Sequence, residues 1–246
     1  MVENEIILKT NDGLLDCRVF IKNKKKFPTI IFYMDAPGIR EELRVMCRKI
    51  AHNGYNVILP NLFYRCGTEG NYPFDQNNYK NNKEELKKMV ETMNSTKNSM
   101  IIEDTKFILK YIEDNVDIKK KIGIVGYCMS GRFVVSVAAV FNKRIKATAS
   151  FYGVDIITKK KDSPHLLAKK IKGELYLAFA EKDIWVPKKI LDKAILTFSD
   201  LKIKSKVEVY KGTDHGFAFP ERSTYNKKAA LKHWKKLINL FNDNLK

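Results

Sequence analysis

Short apolar runs alternate along this chain with longer segments whose apolar residues recur at helical spacing, and this alternation constrains the fold most. Strand-like runs are P-T-I-I-F-Y at 28–33, N-V-I-L at 56–59, I-G-I-V at 122–125, K-A-T-A-S-F at 146–151, E-L-Y-L-A-F-A at 174–180 and K-V-E-V-Y at 206–210. Helical spacing predicts helices over 41–52, 82–93, 100–115, 132–141, 187–198 and 223–244. Asn11-Asp12-Gly13 predicts a hairpin between strands at 5–9 and 14–21. Continuously apolar strands are buried on both faces, which requires a mostly parallel sheet with helices on both sides. The stretch 61–82, rich in Asn, Gly, Tyr and Pro, reads as a long loop and not as a domain boundary, so one α/β domain over 1–246 is expected.

Reactive groups in such a sheet belong just beyond the carboxyl ends of strands. Beyond 122–125 the chain reads G-Y-C-M-S-G-R, with Cys128 at the turn into the next helix. This is the position of a nucleophile elbow, G-x-Nuc-x-G, in which small flanking residues permit a strained turn. Gly126 supplies the first small residue and Ser130 the second. Ser130 itself lacks glycines at the flanking positions, so its expected role is close packing or helix capping. A helix N-terminus favours a thiolate, which suits Cys128 as nucleophile.

A cysteine nucleophile needs a base, and the base needs an orienting acid. His215 follows 206–210 in K-G-T-D-H-G-F. His52, His165 and His233 stand at a helix end, in a polar loop and on the last predicted helix. Asp183 follows 174–180 and is preferred as the acid over Asp214, whose side chain should diverge from its neighbour's in an extended loop. Nucleophile, acid, base is the chain order of α/β-hydrolases. An oxyanion hole would draw one N–H from Met129 and one from the M-D-A-P-G loop, where Ala36 is the candidate. Asp35 in that loop could face the thiol or brace the loop.

Several classes are disfavoured. The net charge is +18, but it comes from 38 lysines against eight arginines, and bidentate base contacts need Arg. The lysine clusters at 24–26, 119–121, 159–161, 188–189 and 227–228 flank apolar segments and form no single stripe. No specific nucleic-acid partner is expected. The four cysteines make no C-x-x-C pair and no zinc spacing, so free thiols and no metal are expected. The opening M-V-E-N-E-I-I-L-K-T lacks a long apolar core, and no run approaches a membrane span. A cytoplasmic protein is expected.

Together these motifs resemble the dienelactone hydrolase family, a cysteine branch of the α/β-hydrolases. They are Y-M-D-A-P-G-I-R at 33–40, G-Y-N-V-I-L-P-N-L-F-Y-R at 54–65, G-Y-C-M-S-G at 126–131, F-Y-G-V at 151–154, E-K-D-x-x-V-P at 181–187 and H-G-F at 215–217. The resemblance implies an α/β-hydrolase domain that uses no cofactor, works as a monomer or homodimer and hydrolyses small esters or enol-lactones. It carries the triad onto Cys128, Asp183 and His215, and the oxyanion donors onto Ala36 and Met129. At two positions the chain departs from the family pattern. The family often has Glu where Asp35 stands, and there the carboxylate is thought to help activate the thiol. The family's dienelactone enzymes place a carboxylate-binding Arg shortly after the base, where this chain has Phe219. Arg222 lies three residues further on. An apolar pocket involving Tyr127, Tyr152, Trp185, Phe217 and Phe219 is expected, although the same aromatics serve equally well as core. Two other readings stay open: a non-catalytic binding protein on this fold, and a lysine-rich polyanion-binding protein.

Overall fold

The computed structural model describes residues 1–22, 27–116 and 121–246. The lysine clusters at 24–26 and 119–120 lie outside the described residues. The chain divides into two compact units, Met1–Ile118 and Lys119–Lys246.

In the first unit, β1 (Val2–Thr10) and β2 (Gly13–Ile21) form the expected hairpin. Gly13 takes a φ of 139°, and Thr10 Oγ1 accepts the Asp12 N–H at 3.2 Å, which closes the turn. β2 runs antiparallel to β4 (Asn56–Pro60), and β4 runs parallel to β3 (Thr29–Tyr33). Both β3 and β4 are buried along their whole length, as their uninterrupted apolar sequences require. Helix α1 (Glu41–His52) buries Leu43, Met46, Cys47, Ile50 and Ala51, and it ends where Gly54 adopts a φ of 91°. Helix α2 (Lys83–Ser95) is capped by Asn82, whose Oδ1 accepts the Glu84 N–H at 2.9 Å. Helix α3 (Asn98–Asn115) completes the unit.

The 61–82 stretch is a loop, as expected. Asn61 holds its start: Nδ2 donates to Asp16 Oδ1 and to Gly67 O, both at 2.9 Å, and Oδ1 accepts the Phe63 N–H. Phe63, Tyr72 and Phe74 pack as a ring cluster beneath it.

The second unit is a parallel α/β sheet in the order β5 (Ile122–Tyr127), β6 (Ile145–Phe151), β7 (Glu174–Lys182), β8 (Ser205–Asp214). Its helices are α4 (Ser130–Val140), α5 (Pro164–Leu167), α6 (Lys188–Asp200) and α7 (Lys227–Leu245). Every residue of α4 from Ser130 to Ala139 is buried, Arg132 included. Residues of the candidate triad follow β5, β7 and β8 in turn. Among the described residues, no helix is long and apolar enough to cross a membrane.

Candidate active site

Cys128 directly follows β5 in the turn to α4, and its φ is +56°. A non-glycine residue in that region is uncommon and costs about 1–3 kcal/mol, so its surroundings must hold it there. They do so with three backbone hydrogen bonds. Cys128 N–H donates to Phe151 O at 3.1 Å, and Cys128 O accepts from Gly131 N at 3.1 Å and from Val154 N at 3.0 Å. The glycines are needed for space. A Cβ on Gly126 would stand 2.6 Å from the Ser130 carbonyl oxygen, and one on Gly131 would stand 2.3 Å from Gly153 Cα.

Ser130 begins α4, two residues before the expected start at Arg132. It packs closely but does not cap the helix as the capping reading proposed. Its hydroxyl accepts the Tyr127 N–H at 2.9 Å and donates to Tyr127 O at 3.1 Å, so it closes the elbow on the strand side.

Asp183 follows β7 with its side chain almost fully buried. Its Oδ2 accepts the His215 Nδ1–H at 2.8 Å, and its Oδ1 accepts the Trp185 N–H at 2.9 Å. Asp214, the competing acid, is exposed and sits opposite Lys182 in the β7–β8 ladder. The loop carrying His215 is tied down by Thr224 Oγ1, which donates to His215 O at 2.8 Å, and by Asn226 N–H, which donates to Phe217 O at 3.0 Å.

The other ring nitrogen of His215, Nε2, is buried and makes no hydrogen bond of ordinary geometry. Cys128 nevertheless acts electrostatically on the ring. Burial by itself pushes the imidazole pKa down. The charge of the Cys128 thiolate, the Asp183 hydrogen bond and the interaction with Cys128 as acceptor outweigh it and hold the imidazolium up to about 10.

Of the aromatics expected around a pocket, Tyr127, Tyr152, Phe217 and Phe219 have no exposed surface, while Trp185 is 43% exposed. The four buried rings pack on one another, with Tyr127 5.2 Å from Phe219 and Tyr152 5.2 Å from Phe217. Tyr152 lies edge-on to His215 at 5.0 Å. The Arg222 guanidinium stands 5.9 Å from the Phe219 ring centroid.

Two residues of this site lay beyond the sequence reading. His233, read only as a residue of the last helix, is fully buried and shares a 2.8 Å hydrogen bond with the Tyr127 hydroxyl, one residue from Cys128. Arg132, one turn into α4, is 7% exposed, and its Nη1 donates to Asp155 Oδ2 at 2.8 Å. Burial pushes its pKa down, against the pull of Asp155 and Cys128. A G-x-C-x-S motif gives no signal for either partner, since both lie far along the chain.

In the first unit, Ala36 is 3% exposed in the loop after β3. Asp35 beside it is fully buried and grips Arg40 bidentately, Nη1 to Oδ1 at 2.6 Å and Nη2 to Oδ2 at 3.2 Å. Gly38 N–H donates to Asp35 O at 3.0 Å, and Arg40 Nη1 also donates to Gly38 O at 3.0 Å. Asp35 therefore braces its own loop. Among the described residues, no group of three or more His, Cys, Asp or Glu side chains is arranged to hold a metal.

The chain resembles known proteins along nearly its full length. It is 27% identical over 228 residues to a Synechocystis sp. protein named "Putative carboxymethylenebutenolidase", covering 90% of this chain and 88% of that one. An Aquifex aeolicus protein of the same name is 24% identical over 225 residues, covering 89% of each. The crystal structure of a "Putative Dienelactone Hydrolase" from Klebsiella pneumoniae superposes with a TM-score of 0.83 at 22% identity over 98% of both chains, and so shares the fold. The model of the dienelactone hydrolase family matches residues 15–245, and the chain belongs to that family.

Proposed function

We propose that this ester and lactone hydrolase works through Cys128 as nucleophile, His215 as base and acid, and Asp183 as the group that orients His215. One observation carries the reading: a cysteine held at a φ of +56°, electrostatically coupled to a histidine whose far nitrogen is bound by a buried carboxylate at 2.8 Å. A buried cysteine serving only as core packing would need neither the strained backbone nor the coupled base.

In the resting pair His215 holds the proton as imidazolium and Cys128 stands opposite it as thiolate. The thiolate attacks the carbonyl carbon, forming an S–C bond and sending the carbonyl π pair onto oxygen. Met129 N–H, at the start of α4, donates to that oxyanion. The second donor expected from the sequence, Ala36 N–H, belongs to the other unit and is carried forward as an expectation. So are the influence of Asp35 on the thiol and the action of the whole chain as one domain. The carbonyl re-forms, the bond to the leaving oxygen breaks, and the imidazolium gives that oxygen its proton. Water then loses a proton to His215 and attacks the thioester carbon, the C–S bond breaks with its electron pair on sulfur, and the acid leaves behind the thiolate–imidazolium pair.

Activated esters and lactones suit this sequence of steps, because the thioester must form against a competent leaving group. The test is turnover of p-nitrophenyl acetate. Cys128→Ala should lose at least about 10³-fold in kcat/KM. Full turnover by that variant refutes the mechanism and puts the nucleophile on another residue.

A further inference from the structure

The turn after β7 has an unusual composition. Val186 N–H donates to Asp183 O at 3.2 Å, so 183–186 is a β-turn with Ile184 and Trp185 at its tip. Turn tips normally hold Gly, Asn, Asp, Ser or Pro. Here the tip carries two large apolar side chains, and both face solvent: Ile184 is 86% exposed and Trp185 43%. A single exposed apolar residue needs no explanation, but two on the turn that presents the catalytic acid do.

Trp185 is also tied to the reacting groups. Its N–H is bound by Asp183 Oδ1 at 2.9 Å, and its ring centroid lies 6.5 Å from that of His215 at an angle of 57°. Tyr152, which has no exposed surface, stands 5.0 Å from the same imidazole. The His215 side chain is 11% exposed. The Trp185 ring is thus an aromatic surface open to solvent beside the base.

We infer that Trp185, with Ile184 beside it, is the specificity-determining surface for the leaving group, and that it selects esters and lactones whose leaving oxygen is borne by an aryl or similarly flat apolar moiety. The inference rests on the thiol mechanism proposed above and uses its proton bookkeeping. His215 must hand its proton to the leaving oxygen as the C–O bond breaks. That oxygen therefore lies beside the imidazole, and the group attached to it lies where Trp185 is. A flat apolar group can stack there offset or edge-on, which is worth about threefold to tenfold in kcat/KM. A small alkyl group cannot cover the ring. The acyl portion sits on the opposite side of the scissile bond and is not selected by this surface.

The test compares phenyl acetate with trifluoroethyl acetate, two activated esters with one acyl group and leaving groups of different size and flatness. The readout is the ratio of their kcat/KM values. Trp185→Ala is expected to lower that ratio by about threefold to tenfold, chiefly through KM for phenyl acetate. Trp185→Phe, which keeps a flat ring, should restore most of it, and Ile184→Ser should lower it by less than Trp185→Ala. An equal loss on both esters means that Trp185 only steadies Asp183, and that overturns the inference, as does an unchanged ratio. Cys128→Ala on the same two esters separates the levels. If it keeps turnover, the thiol mechanism and this inference both fall. If it is inactive while the Trp185 ratio is unchanged, only this inference falls.

Discussion

His215 and Asp183 stand 32 residues apart in sequence, yet the Nδ1–H of one donates to Oδ2 of the other at 2.8 Å. The two side chains meet because β7 and β8 are adjacent and parallel, so the loops after both strands open at the same edge of the sheet. The second oxygen of Asp183 is taken by a backbone N–H, so the carboxylate has one orientation and fixes the imidazole tautomer.

Asp183→Asn should move the alkaline limb of the pH profile. With Asp183 present the imidazolium persists up to about 10, and the acid step at the leaving oxygen needs that proton. Cys128 gives the largest upward pull and Asp183 the next, so without the carboxylate the His215 pKa falls and kcat/KM should begin to decline at lower pH, after an overall loss of about 10²- to 10⁴-fold. Stability moves in the same sense. The folded-state pKa lies above the unfolded value, so the pair's contribution is complete below about pH 6.5 and is lost as pH rises through about 10. In Asp183→Asn that alkaline loss should be complete at lower pH. Paired urea titrations across this range measure it.

Gly126→Ala tests the elbow's geometry. The new Cβ would meet the Ser130 carbonyl oxygen at 2.6 Å and its hydroxyl at 2.9 Å, and a backbone oxygen at the buried head of α4 has nowhere to go. Overpacking of this kind costs about 1–3 kcal/mol, or roughly 3–10 °C in Tm for a chain of this size. A thermal melt indistinguishable from the parent would show that the turn tolerates a side chain.

The placement of Cys128, Asp183 and His215 was legible in the sequence for a definite reason: each follows a strand whose apolar run marks its own end, so strand order alone assigned them to one edge. The hairpin at Asn11-Asp12-Gly13 was legible because its turn chemistry is local. The aromatics were not. Tyr127, Phe217 and Phe219 have the same residue types whether they line a pocket or fill a core, and the structure buries them completely. Nor could the Asp35–Arg40 pair be read, since a carboxylate in a loop gives no sign of which cation will close on it. The 61–82 loop was recognised by composition, but its ring cluster of Phe63, Tyr72 and Phe74 depends on a chain reversal that composition does not encode.

Asp35→Asn should destabilise the protein by about 3 kcal/mol, the low end for breaking a buried ion pair, because Arg40 keeps some exposure. Adding Arg40→Met removes the stranded cation and should recover part of that loss in a urea titration. If Asp35 also acts on the thiol, activity will not recover with stability. Recovery of both would make Asp35 a loop brace alone.

Tyr127→Phe deletes the hydrogen bond between two side chains that are both fully buried and leaves the imidazole of His233 short of it. The expected cost is about 1–3 kcal/mol, read from the urea midpoint. Because Tyr127 adjoins Cys128, kcat should also fall while KM changes little. A stability loss with unchanged kcat would confine the pair to packing.

The identity of the acylated atom tests the central claim most directly. The protein is mixed with p-nitrophenyl acetate, quenched in acid during the first turnover, digested and mapped by mass spectrometry. The account predicts one acetyl group on the peptide carrying Cys128, attached at sulfur and released by hydroxylamine at neutral pH. An acetyl group on Ser130, or a full burst of nitrophenol from Cys128→Ala, would contradict it.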